Sequence, residues 1–154
     1  RNSNESKSKI FVYSNLREKI QMKAISARTT AGINLGSIMV AADNGGAKIV
    51  KIVSVKHGKG RKGKQGCAKV GDWVKVAVKK GIPDMKGKVF DAVLIRQKRP
   101  WRRFSGERIA FEDNAVALLK DDKGNPKGTQ IKGPIAKEVM ERWPQVAKIA
   151  SIVY

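Results

Sequence analysis

The chain has 154 residues and a formal net charge of +20, from 33 Lys+Arg against 13 Asp+Glu. That cation excess argues against an ordinary soluble enzyme, which would adhere to polyanions, and points to a permanent polyanionic partner. A hydrophobic content of 41% argues against a wholly disordered basic tail and suits one domain with a buried core plus an extension.

Cys67 is the only cysteine and His57 the only histidine, so one chain holds no disulfide framework or zinc knuckle. No apolar stretch approaches the ~20 residues of a spanning helix. Ile10–Tyr13 is too short for a signal-peptide core and is followed by Arg17, Glu18 and Lys19. A cytosolic protein with no membrane and no small-molecule substrate is expected.

Residues 1–34 are polar and lack sustained periodicity, and they read as a basic extension ordered, if at all, by its partner. Compact structure is expected from Leu35. Ser37–Ala42 reads as a strand ended by the turn chemistry of Asp43, Asn44, Gly45 and Gly46. Ala47–Val55 is a second, β-branched strand whose apolar residues fall on both parities, as in a closed barrel or sandwich. Lys56–Lys69 is rich in Lys and Gly without an acid, a loop in which Lys56, Lys59, Arg61, Lys62 and Lys64 are placed to neutralise phosphates. It lacks a Walker-type phosphate motif and no helix follows it. Gly71–Asp72 is a turn. From Asp72 to Lys79, Val74, Val76 and Val78 alternate with Trp73, Lys75, Ala77 and Lys79, a half-buried strand.

The stretch from Ala92 to Asn114 organises the rest. Ala92–Ile95 is a continuous apolar run, suited to a strand buried on both faces. Arg96, Lys98, Arg99, Arg102, Arg103 and Arg108 follow, with Trp101 and Phe104 among them, before Ser105–Gly106 turns the chain back toward Ile109 and Phe111. This is a basic β-hairpin arm rooted in a core, and its cations repel one another unless a dense anion compensates them. Trp101 has two readings, a platform for a base or a neighbouring protein and an anchor buried under the arm, and the first is preferred. Ala115–Leu119 is a further strand. Pro134 is placed at the first turn of a helix carrying Ile135, Val139 and Trp143. Pro144 starts a second helix in which Val146, Ile149, Ala150 and Val153 share a face. The fold expected is all-β: a small five-stranded barrel with two short C-terminal helices and the arm.

Catalytic chemistry is hard to assemble. Glu112–Asp113 and Asp121–Asp122 are sequence neighbours that point to opposite faces of a strand, and His57 has no carboxylate near it. No cofactor is implied. An RNA-modifying enzyme lacks its constellation, and a free single-strand-RNA chaperone would need more than 6% aromatic residues.

From Ser37 onward the sequence resembles the universal large-subunit ribosomal protein L14 (uL14) family, in its archaeal or eukaryotic form. The blocks stand in order: Ala42–Ala47, with Gly45 where Ser or Thr is usual; Val70–Asp72; Val78–Gly81; Ala92–Ile95 with Ser105–Gly106, Phe111, Asn114 and Ala117–Leu118; and Gly128–Pro134, including Gly133. The resemblance implies a five-stranded barrel in residues 35–154, seated on large-subunit rRNA near the subunit interface in the cytoplasm. It further implies a bridge to small-subunit rRNA, neighbours such as ribosomal proteins L3 and L24e, docking of the anti-association factor (initiation factor 6), and no catalysis.

Overall fold

The computed structural model describes residues 23–56 and 66–154. Its strands are β1 (Ala27–Arg28), β2 (Ile38–Ala41), β3 (Ala47–Val55), β4 (Trp73–Gly81), β5 (Val89–Arg96), β6 (Trp101–Arg103), β7 (Arg108–Ile109), β8 (Ala115–Leu118), β9 (Ile131–Ile135) and β10 (Ala150–Val153). The helices are α1 (Lys137–Arg142) and α2 (Pro144–Ala147). Strands β2-β3-β4-β5-β8 close a barrel. Neighbours pair antiparallel except β2 and β8, which run parallel where Val40 meets Ala115 and close the wall.

Two apolar cores share strands β4, β5 and β8. Val50, Ile52, Val74, Val76, Val78, Ala92, Leu94, Val116 and Leu118 fill the barrel. The opposite parity, Trp73, Val93, Ile95, Ala115 and Ala117, packs outward against Trp101, Ile135, Val139, Trp143 and Val146. Double-sided burial therefore belongs to β5 and β8, every residue of β8 being buried. On β3 the second parity behaves otherwise, for Val53 is 50% exposed and Lys51 faces solvent. Trp73 and Trp143 meet edge to face at 5.7 Å, and Trp143 Nε1 donates to the Gly71 carbonyl at 2.9 Å, tying α1 to the barrel rim.

The C-terminal annex departs from the sequence expectation. Pro134 lies in β9, not in a helix, and α1 begins only at Lys137. The second helix ends at Ala147, and Ala150–Val153 is instead a strand parallel to β9. The β-branched Ile152 and Val153 suit that pairing, and tertiary strand contacts override a short helical stripe. Pro144 does stand at the first turn of α2. The turn at Asp43–Gly46 is held by Asn44, whose Oδ1 accepts from the Thr129 and Gln130 amides and whose Nδ2 donates to Thr129 Oγ1. Asp43 accepts from the Gly45 amide, and Asp72 accepts from the Lys69 amide and Arg142. Burial pushes both carboxyls above their ordinary range, against amide bonds that pull them down.

Compact structure also starts earlier than Leu35. Ala27–Arg28 pairs with the arm, and Ile33 is buried and bridged to Ala68. The remainder of the extension, residues 1–22, lies outside the described residues.

Leu94 is fully buried inside the barrel, so Leu94→Ala should cost about 3 kcal/mol. Val53→Ala, on the exposed parity, should cost less than about 1 kcal/mol. Urea unfolding of the two variants measures both.

Candidate nucleic-acid interface

The arm starts from a fixed root. Arg96, 6% exposed at the end of β5, donates from Nε and Nη2 to the two Asp113 oxygens at 2.7 and 2.9 Å. Its Nη1 donates to the carbonyls of Lys132 and Pro134 at 3.0 and 2.8 Å. Gly133 is required here twice over. Its φ is +79°, and a Cβ would sit 3.2 Å from Arg96 Nη1. The Arg96 guanidinium therefore knits β5, the segment before β8, and β9 together. It is not presented to phosphate, which corrects the sequence expectation.

Gln97 is completely buried and repeats the device with a neutral side chain. Its Oε1 accepts from the Val70 amide, and its Nε2 donates to the carbonyls of Thr30 and Arg99. Asn114 Oδ1 takes the Lys98 amide at 2.8 Å. Beyond this root, β6 and β7 form the hairpin, Trp101 opposite Ile109 and Arg102 opposite Arg108. Gly106, at φ +93°, makes the tip, and its amide donates to the Arg103 carbonyl.

Trp101 is the anchor of the arm. It is 1% exposed, lies 5.9 Å from the Phe111 ring, and its Nε1 donates to Glu138 Oε1 at 3.0 Å. No nucleobase can reach its faces, so the preferred platform reading is overturned by burial. Arg103 donates from Nε to the same Glu138 oxygen at 2.9 Å and from Nη2 to the Tyr154 carbonyl at 2.7 Å. It too is committed to the fold. Burial alone would push the Glu138 carboxyl up, but the bonds from Arg103 and Trp101 overcome it and hold Glu138 below its ordinary range. The same bond holds Arg103 more firmly protonated. Lys56 is also occupied: its Nζ lies 3.5 Å above the Trp73 ring and bonds Asp91 at 3.0 Å and Asp122 at 3.1 Å.

What remains of the expected set is Lys98, Arg99, Arg102 and Arg108, all exposed, with Arg99 giving one donor to the Ala31 carbonyl and Arg102 one to the Gly106 carbonyl. Lys59, Arg61, Lys62 and Lys64 lie outside the described residues. The structure adds a cation that sequence reasoning missed. Strand order β1-β6-β7 puts Arg28 directly opposite Arg102, and Arg102 directly opposite Arg108. Three exposed arginines thus stand in a row across three strands, spaced about 5 Å apart. Like charges directly opposite one another destabilise a sheet, so the row is favourable only with an anion laid across it. The sequence signal for Arg28 was absent, because nothing in residues 23–34 announces a strand of two residues.

Residues 32–154 match the model of the family described as ribosomal protein L14p/L23e. Three proteins described as large ribosomal subunit protein uL14 are similar to the chain over 86% of its length and 99% of theirs. The identity is 57% for that of Nanoarchaeum equitans, 48% for that of Methanothrix thermoacetophila and 49% for that of Thermoplasma acidophilum.

Removing the Glu138 side chain leaves a buried Trp101 N–H and Arg103 without their acceptor, so Glu138→Ala should destabilise the protein at neutral pH by about 3 kcal/mol. Because Glu138 is depressed in the folded state, its ionic contribution is complete above the ordinary glutamate value of 4.5 and is lost as pH falls through the lower folded value. The difference between wild type and variant, measured by denaturant unfolding across pH, should therefore be flat near neutrality and shrink in acid. Barrel, arm and sequence agree, and the chain belongs to the ribosomal protein L14p/L23e family.

Proposed function

We propose that the chain binds large-subunit rRNA through the exposed row Arg28–Arg102–Arg108, with Lys98 and Arg99 at the arm's root, and that Lys59, Arg61, Lys62 and Lys64 neutralise further phosphates. As a family member it is a ribosomal protein of the large subunit, a structural constituent of a cytoplasmic particle and not an enzyme. The observation that carries the RNA reading is the row itself, because a sheet that sets three arginines side by side is built for a polyanion. The resemblance further supports a seat near the subunit interface, a bridge to small-subunit rRNA, ribosomal proteins L3 and L24e as neighbours, and docking of initiation factor 6 on the same side.

The buried cations serve this function indirectly. Arg96 and Arg103 commit their donors to the fold and so hold the exposed ones in register. Rigid placement limits the entropy lost when a phosphate chain is bound.

Arg102→Gln separates the two roles. Binding of the purified protein to large-subunit rRNA should weaken at every salt concentration, and the log–log salt slope should become shallower by about 0.9 for each phosphate no longer neutralised. The free variant should lie within about 0.5 kcal/mol of wild type, since relief of the like-charge contact offsets loss of the exposed bond from Arg102 Nε to the Gly106 carbonyl. Unchanged affinity and slope would contradict the reading, as would recovery of the tagged protein mainly in light fractions of a sucrose gradient.

A further inference from the structure

Phe104 is the most exposed large apolar residue in the described chain, at 84%. It sits at the tip of the arm between Arg103 and the Ser105–Gly106 turn, with the outward arginines Arg102 and Arg108 just behind it. The other arm aromatic, Trp101, is buried, and Phe111 is packed between Trp101 and Tyr154. No ring contact or cation–π contact is made by Phe104 among the described residues. An exposed phenyl ring costs free energy in water, and the anchored residues Trp101 and Arg103 fix the backbone from which it projects.

A cleft of about 210 Å³ lies between the arm and α1, lined by Phe104, Ser26, Arg103, Lys137, Glu138 and Glu141. It has room for one planar base. Its wall carries no excess charge, since Glu138 is paired with Arg103 and Lys137 stands with Glu141, while the Glu141 carboxylate, which takes the Ser26 amide, has capacity for further N–H donors. Phosphates are drawn to the uncompensated arginine row in preference to the charge-balanced cleft. A single-stranded RNA that follows the outer row and passes round the arm tip would therefore bring a base, not its backbone, toward Phe104.

We propose that Phe104 is a stacking platform for one unpaired RNA base, held over the cleft between the arm tip and α1. The proposal rests on the reading of the arm as an RNA-binding element. Aromatic stacking needs a π-face, which separates it from simple apolar contact.

The test uses the purified full chain and a short unstructured oligoribonucleotide carrying 2-aminopurine, whose fluorescence is quenched by stacking. Wild type and Phe104→Trp should both quench it. Phe104→Leu should lose the quench and roughly tenfold in affinity, with an unchanged circular dichroism spectrum, because the side chain supports nothing in the fold. A Phe104→Leu protein that binds and quenches like wild type would overturn the proposal. So would a variant that binds RNA normally yet fails to enter large subunits, which would assign the ring to a protein neighbour. If Arg102→Gln also binds as wild type, the RNA reading of the arm fails as well. If it alone is weakened, only the stacking proposal fails.

Discussion

The Glu138 carboxylate is the contact on which the arm's usefulness depends. One buried oxygen receives both the Trp101 indole N–H and the Arg103 guanidinium, and both donors come from β6. A hairpin as short as β6–β7 has little stability of its own. Here its inner face is fastened to α1, which is in turn fastened to the barrel rim through Trp143 and Gly71. Arg103 extends the chain of contacts to the carbonyl of Tyr154, so the C-terminal residue is tied to the same point. Desolvating a carboxylate is costly, and it is tolerated because two donors meet it there.

With the inner face fastened, the outer face is free to be unfavourable by itself. Setting Arg28, Arg102 and Arg108 side by side stores repulsion that a phosphate chain would relieve, whereas the paired cations Lys56, Arg96 and Arg103 store none. The division follows strand parity. Along β6 the odd positions, Trp101 and Arg103, face the core, and Arg102 between them faces outward. Charge count alone does not reveal that two of the six arm cations, Arg96 and Arg103, are scaffold.

The barrel was legible in the sequence because its strands carry β-branched runs bounded by Asp, Asn and Gly turns, and the arm was legible because charge and a Ser–Gly turn mark it. What was not legible depended on distant partners. Arg96 looks like any other arm cation until Asp113 and the β9 carbonyls are seen around it. Trp101 looked available because its anchor, Glu138, lies 37 residues away. Residues 150–153 satisfy a helical stripe and a β-branched strand alike, and the exposed edge of β9 decides between them. Arg28 required knowledge that the chain before the barrel returns to the arm.

The most direct test of this division is ultraviolet crosslinking of intact large subunits, with nucleotide adducts mapped on this protein by mass spectrometry. The account predicts adducts on the arm peptide spanning Arg102 to Arg108 and on the peptide containing Arg28. It predicts none at cations that are internally paired, such as Lys56 and Arg96. Adducts confined to the barrel wall, with the arm unmodified, would contradict it.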